Sequence, residues 1–339
     1  MNNDWAFLPM RASNDLLGDP EAVRARLDED SYLYFQNVID TGTLDRLRRR
    51  MLRVLEGHGW VRGHPQLMRG IATVLPVRES DEEYLAVYDD VQRLEEFHTL
   101  AHDEALVAVM RQVVGDTAFP HPLKVARLSF PGNYERSTPP HQDWPNNQGT
   151  TNLTAAWIPV GDCPMALGPL AILRGSHRYG LLPLQPHLGA GNRAAVLPPE
   201  MCEKLRWVTT EFRAGDVLLF PSLAVHASLH NASEFFMRIS VDFRYQAEGE
   251  ELTDLVLQPH FGRLSWQEIY SGWKSNRYQY YWKDLDFRVV PFRDLTPALT
   301  EAELNAHTAS GLAARRRITA RYERRMATLE SGPEEHASL

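Results

Sequence analysis

His141-Gln142-Asp143, answered far downstream by His226 and then by Arg238, are the residues whose types and spacing can do chemistry. Two imidazoles and one carboxylate on one face of a metal leave its other positions open. That arrangement suits non-haem Fe(II), which must also bind O2 and a cosubstrate. Arg238 adds a planar, permanently charged fork that can grip a carboxylate with two parallel hydrogen bonds. Together these residues point to an iron oxygenase that consumes a 2-oxo acid. A His-x-Asp tripeptide alone carries little information in a chain with 13 histidines, so the weight falls on the elements that must position it.

Phe130-Pro131-Gly132-Asn133 reads as a strand end followed by a turn, and Thr138-Pro139-Pro140 delivers His141 from an extended segment. In such a segment positions i and i+2 project to one side, so His141 and Asp143 can reach one metal while Gln142 points elsewhere. Phe212 to Asp216 makes a turn, Val217 to Phe220 is a buried strand, and His226 follows at the far end of that hairpin. A sheet closed on itself brings the two distant segments together. From Phe235 to Tyr245 the chain alternates. Phe235, Met237, Ile239, Val241, Phe243 and Tyr245 point one way, and Arg238, Ser240, Asp242 and Arg244 point the other. Two arrangements satisfy this pattern: an edge strand with a solvated polar face, or a strand whose polar face looks into a barrel while helices cover the apolar one.

These residues resemble the phytanoyl-CoA dioxygenase family of Fe(II)/2-oxoglutarate-dependent oxygenases. The likeness rests on the HQDW segment, Phe220 to Asn231 (FPSLAVHASLHN) and Arg238-Ile239-Ser240. Leu153 to Pro159 (LTAAWIP), Gly168-Pro169-Leu170 and Arg174-Gly175-Ser176-His177 add to it, as does the opening stretch Tyr32 to Val61. The resemblance runs over roughly residues 30 to 246. It implies a mostly β fold with α cover, a double-stranded β-helix (jelly-roll) core flanked by helices, to which the residues beyond 246 add a helical C-terminal extension. It also implies His141, Asp143 and His226 as iron ligands, and Arg238, helped by Ser228, as partner of the distal carboxylate of 2-oxoglutarate. Gln142 and Trp157 match positions that contact the cosubstrate. Arg174 and Leu167 depart from the family pattern, standing where Pro and Asn are common. The presence of Asp143 separates the chain from halogenating relatives, which carry a small residue there. The implied activity is oxidation, by hydroxylation first, of an unactivated C–H in a small organic molecule, within secondary metabolism. 2-Oxoglutarate and O2 become succinate and CO2. Desaturation or cyclisation by the same site, and a non-catalytic sensor of 2-oxoglutarate, are the alternatives.

Composition agrees with a soluble enzyme. The chain has 339 residues, 43% hydrophobic and 24% charged, which suits one substantial core. A net charge of −8 and a pI near 5.9 argue against general binding to nucleic acid or anionic membranes. Cys163 and Cys202 lack metal spacing and read as reduced, and neither a signal segment nor a membrane-spanning run is evident, so a cytoplasmic location is expected.

Four segments follow from the pattern: a polar lead-in over 1–30, the oxygenase domain over 31–246, an aromatic and helical extension over 247–330, and a disordered tail over 331–339. Asp19-Pro20-Glu21 opens a helix, Thr43 to Leu55 is amphipathic cover, and Val91 to Val114 holds further helix. His64 to Asp81, without periodicity, is expected to be a substrate-side loop. Phe261, Trp266, Tyr270, Trp273, Tyr278, Tyr280, Tyr281 and Trp282 cluster in one stretch. Packing onto the barrel is the first expectation for them and a wall of the substrate pocket the second, with Ser265 and Glu268 capping a short helix. Thr300 starts another helix, interrupted at Gly311 and resuming over Leu312 to Leu329. Its basic face reads as solvated before it reads as a membrane or anion contact, and its narrow apolar stripe suits packing against the domain or a second subunit in a homodimer.

Overall fold

The computed structural model describes residues 6–79, 81–132, 137–187 and 193–297. Two sheets face each other. The smaller has four strands in the order Phe7–Pro9, Trp207–Thr209, Leu170–Leu173, His226–Ser228. The larger runs Leu33–Phe35, Val217–Pro221, Thr154–Pro159, Arg238–Gln246, Phe119–Pro120, with Val125–Ser129 also paired to Arg238–Gln246. The strand Phe7–Pro9 pairs in parallel with Trp207–Thr209, so part of the polar lead-in is built into the smaller sheet. This is the double-stranded β-helix expected from the sequence.

Period-two alternation divides the large sheet between two apolar layers. Ala156, Ile158, Val217, Leu219, Ile239, Val241, Phe243 and Tyr245 face outward, into a core shared with helices. Ala155, Trp157, Leu218 and Phe220 face inward, against Ile172, Val208 and Phe212 of the other side. The outer cover is led by the helix Thr41–Gly57, started by the Asp40 side chain accepting from the Thr43 amide. Its buried stripe is Leu44, Leu47, Met51, Leu52 and Leu55. Pro20–Asp30 is capped in the same way by Asp19 and Glu104–Val114 by Asp103. The stretch expected to hold helix through Val114 is divided into Glu82–Gln92, Glu95–Thr99 and Glu104–Val114, the first starting earlier than the periodicity suggests.

The alternating strand settles between its two arrangements. All nine residues of Arg238–Gln246 are buried, so its polar face is no solvated edge. Arg238 and Arg244 look into the space between the sheets, at the end where the smaller sheet presents His226. Among the described residues no helix is long and apolar enough to cross a membrane. The helix expected from Thr300, the dimer contact expected of it and the tail over 331–339 lie outside the described residues.

Candidate active site

His141 is joined to His226 by a two-residue antiparallel bridge, each amide donating to the other's carbonyl at 2.9 and 3.0 Å. After that bridge the chain turns. Asp143 already has helical backbone angles and precedes the short helix Trp144–Asn147, its amide donating to the Ser222 carbonyl at 2.9 Å. The extended segment expected through His141-Gln142-Asp143 is thus extended only at its start, yet both side chains reach one point. The Nε2 atoms of His141 and His226 each lie 3.8 Å from Asp143 Oδ1, and one ligand atom from each residue falls within 4.8 Å of the others. The opposite ring atoms are occupied: His141 Nδ1 bonds the Pro139 carbonyl at 2.8 Å and His226 Nδ1 the Ala224 carbonyl at 3.1 Å. An Nδ1–H donor leaves each Nε2 lone pair free for a metal.

The protonation states suit that task. Burial lowers the affinity of both imidazoles for protons, taking His226 to about 3 and His141 in the same direction. Burial alone would raise Asp143, but the positive charge of Arg244 leads the effects that outweigh it and hold the carboxyl down to about 2, the two imidazoles adding to it only where they are themselves protonated. At neutral pH the site therefore offers two neutral imidazoles and a carboxylate, the forms that bind a divalent ion. Arg244 grips the carboxylate two-handed, Nε to Oδ2 at 3.1 Å and Nη2 to Oδ1 at 3.0 Å.

Arg238 stands in the same cavity with its charge unmatched. It is 5% exposed, forms no ion pair with any described residue, and its Nε has no hydrogen-bond partner. Its Nη1 donates to the Gly168 carbonyl, and the guanidinium lies 5.9 Å from the centre of the Trp157 ring. Gly168 is a glycine for a reason: φ is +70° and a Cβ would come to 2.4 and 2.5 Å from the Leu229 and His230 carbonyl oxygens. Ser228 lines the cavity beside Arg238, buried, its hydroxyl donating to the Leu229 carbonyl at 3.3 Å. Ion-pairing by an incoming carboxylate offsets the cost of such a buried cation.

Two expected contacts are not brought into the cavity. Gln142 donates to the Gly180 and Leu223 carbonyls at 2.8 and 2.7 Å and accepts from the Leu182 amide at 2.9 Å. Its amide is consumed in tying loops together, as the alternation in sequence had it pointing away. Trp157 is buried under Arg238 and packs edge-on against Phe212, so it supports the guanidinium from behind. The Arg174 departure leaves the turn intact. Arg174 Nε pairs with the buried Asp30 at 2.6 Å, Gly175 takes φ +79°, and Ser176 Oγ accepts from the Val225 amide at 2.7 Å.

The cavity measures about 600 Å³, within the range of about 300–1,000 Å³ common for small-molecule sites. Val77, Arg78 and Glu79 from the expected substrate-side loop form part of its wall. So does Phe261, but Trp266, Tyr270, Trp273, Tyr280, Tyr281 and Trp282 pack on one another and on Ile269 instead. Trp266–Tyr270 is helical with the Ser265/Glu268 capping box in place. Sequence reasoning missed Arg244, Arg193 and His260. For Arg244 a signal was available, since it shares the period-two face of Arg238.

The profile of the family described as Phytanoyl-CoA dioxygenase (PhyH) matches residues 27–240. This chain belongs to that family. Two curated relatives, from Streptomyces arenae and Streptomyces exfoliatus, are named 1-deoxypentalenic acid 11-beta-hydroxylase. They are 29% and 28% identical over 243 residues, 68% of this chain and 82% of theirs. Among solved structures, the epimerase SnoN with Fe3+, alpha ketoglutarate and nogalamycin RO is 20% identical with a TM-score of 0.49, over 68% of this chain and 84% of that one. As a phytanoyl-CoA dioxygenase family member, the protein is an oxidoreductase that uses iron, 2-oxoglutarate and O2 on a small molecule.

Proposed function

We propose that this PhyH-family protein hydroxylates an unactivated C–H of a small organic molecule of secondary metabolism, with the iron held by His141, Asp143 and His226. Arg238 and Ser228 receive the distal carboxylate of 2-oxoglutarate. The observation that carries the reading is the convergence of the His-Asp-His cluster and a buried, unpaired arginine on one cavity. Iron so bound supplies the oxidising power: O2 and 2-oxoglutarate are consumed, succinate and CO2 leave, and C–H becomes C–OH. The chain's own groups do the rest. The Pro139 and Ala224 carbonyls fix the imidazole tautomers, Arg244 keeps Asp143 ionised, and Arg238 orients the cosubstrate so that the remaining space faces the substrate. The named hydroxylase relatives favour C–H oxidation over a sensor role, since both are named for that chemistry. The unpaired cysteines, Cys163 and Cys202, support a reducing, cytoplasmic setting.

The test is an anaerobic titration of apoprotein with Fe(II) and 2-oxoglutarate, following the weak visible band of the iron chelate. A band should form in the wild type, vanish in His141→Ala, and require at least about tenfold more 2-oxoglutarate in Arg238→Gln, as expected on losing a charged hydrogen-bond pair. No band with folded wild-type protein would sink the assignment. Succinate release coupled to a hydroxylated product then separates an enzyme from a sensor.

A further inference from the structure

We infer that Arg193 anchors a carboxylate on the substrate, so that the molecule oxidised is an apolar organic acid; this rests on the oxygenase reading above and deepens it. Among the described residues five arginines line the cavity, Arg78, Arg127, Arg193, Arg238 and Arg244, against two carboxylates, Glu79 and Asp143. Three are spoken for. Arg244 holds Asp143, Arg127 is clamped by Glu79 at 2.8 and 3.0 Å and by Asp242 at 3.4 Å, and Arg238 serves the cosubstrate. A divalent ion and the dianion of 2-oxoglutarate cancel one another, so their arrival leaves the positive surplus in place.

Of the remaining two, Arg78 is 40% exposed and pairs with Asp81 three residues on. Arg193 is different. Its side chain is 15% exposed, and the one carboxylate near it, Asp294 at 3.5 Å, is itself 67% exposed. Its Nη1 reaches the Pro145 carbonyl only at 3.5 Å, and its Nε has no partner. The strand that carries it is fastened to the metal-binding loop: the Ala195 amide donates at 2.8 Å to the carbonyl of Pro140, the residue before His141. A half-satisfied guanidinium at that place gains two charge-assisted bonds when a planar carboxylate arrives. The remaining wall includes Leu123, Leu128, Leu255, Phe261 and Phe292, which suit a hydrocarbon body. A cationic substrate finds no unpaired carboxylate among the described lining residues, because both are already engaged by arginines.

The experiment titrates protein loaded anaerobically with Fe(II) and 2-oxoglutarate with a panel of rigid polycyclic carboxylic acids, 1-deoxypentalenic acid among them. Each acid is compared with its methyl ester and with the phosphate of the matching alcohol, by calorimetry. At least one acid should bind about tenfold to a hundredfold tighter than its ester, the range for a charged hydrogen-bond pair. Arg193→Gln should erase that preference, Arg193→Lys should keep part of it, and neither should alter the 2-oxoglutarate dependence of the chelate band. The proposal is overturned if esters bind as well as acids, if no acid binds, if the phosphates are preferred, or if Arg193→Gln keeps the acid preference or weakens 2-oxoglutarate instead. Should Arg193→Gln not fold, the acid–ester comparison in wild type and in Arg193→Lys still decides. A wild-type protein with no chelate band fails the oxygenase reading alone, and the acid–ester comparison on that same protein still tests Arg193.

Discussion

The residue on which the proposed metal site turns, beyond His141, Asp143 and His226, is Arg244. A buried carboxylate flanked by two neutral imidazoles has little reason to stay ionised, and here the two-handed grip of Arg244 supplies it. Arg244→Met should therefore weaken Fe(II) binding by about 10–100-fold, the usual cost of removing a partner of a ligating group. It should also move the pH midpoint of metal binding upward, because Asp143 then holds its proton to higher pH. Arg244→Lys keeps a charge but not the fork, and should fall between. Equilibrium dialysis of Fe(II) across pH 5 to 8 reads both effects, and an unchanged midpoint in Arg244→Met would show Asp143 to be tuned by something else. Gln142 makes the opposite case. Its three bonds to loop backbone predict that Gln142→Ala lowers stability by about 2–4 kcal/mol, at roughly 1 kcal/mol or more per buried bond. The chelate band of the folded variant should be unaltered; a band needing much more 2-oxoglutarate would return Gln142 to the cosubstrate.

At the scale of elements, what could be read in advance followed the strength of the periodic signal. The Arg238–Gln246 strand and the Thr41–Gly57 helix carry clean periods of 2 and 3.6, and both stand where the pattern put them. The cluster of His141, Asp143 and His226 was legible because its placement follows from local chain geometry around His141 and from one hairpin near His226. What was not legible is what depends on contacts between distant segments. Arg193 comes to the metal loop through the Ala195–Pro140 bond, and Gln142 is claimed by loops around Gly180 and Leu223, which no local pattern announces. The aromatic extension lies between these cases: its composition signals burial, but only packing separates Phe261, on the cavity wall, from the rings stacked behind it. Hence Trp282→Ala should cost about 3–5 kcal/mol of stability, the range for emptying a buried aromatic site, and leave substrate affinity alone. Phe261→Ala, at a ring that is 42% exposed, should weaken substrate binding with little change in Tm. Thermal melts paired with calorimetry distinguish the two, and a reversal of the pattern would place the inner rings at the substrate.

Taken as a whole, the molecule buries an unusual set of bases away from any carboxylate of the described residues, and its stability should depend on pH accordingly. Burial lowers His98 and His260 to about 3, His121 to about 4 and His102 to about 2, with Lys124, lowered to about 7, packed among three of them. Their surroundings suit the neutral form, with one ring nitrogen bonded and the rest of the ring buried: His98 Nε2 pairs with the Gln92 carbonyl, His121 Nε2 with Gln246, and His102 stacks on Tyr278. In the unfolded chain each imidazole takes up a proton near pH 6.5, whereas the folded protein refuses it until far lower pH. The unfolded state thus binds more protons throughout that window, so stability is full above about pH 6.5 and is lost as pH falls. Each histidine contributes roughly 1 kcal/mol per pH unit below its unfolded value, and four together approach about 4 kcal/mol by pH 5.5, against a total stability of about 5–15 kcal/mol. Lys124 extends the trend upward, since its folded form is neutral above about 7 while the unfolded lysine stays charged to about 10.4, so stability should rise between those limits. Calorimetric melts from pH 9 to 5 should show Tm declining continuously and most steeply below 6.5. A His98→Gln, His121→Gln pair should flatten the acid limb by about half, and a Tm that holds level from pH 6.5 to 5 would mean these imidazoles are protonated in the fold.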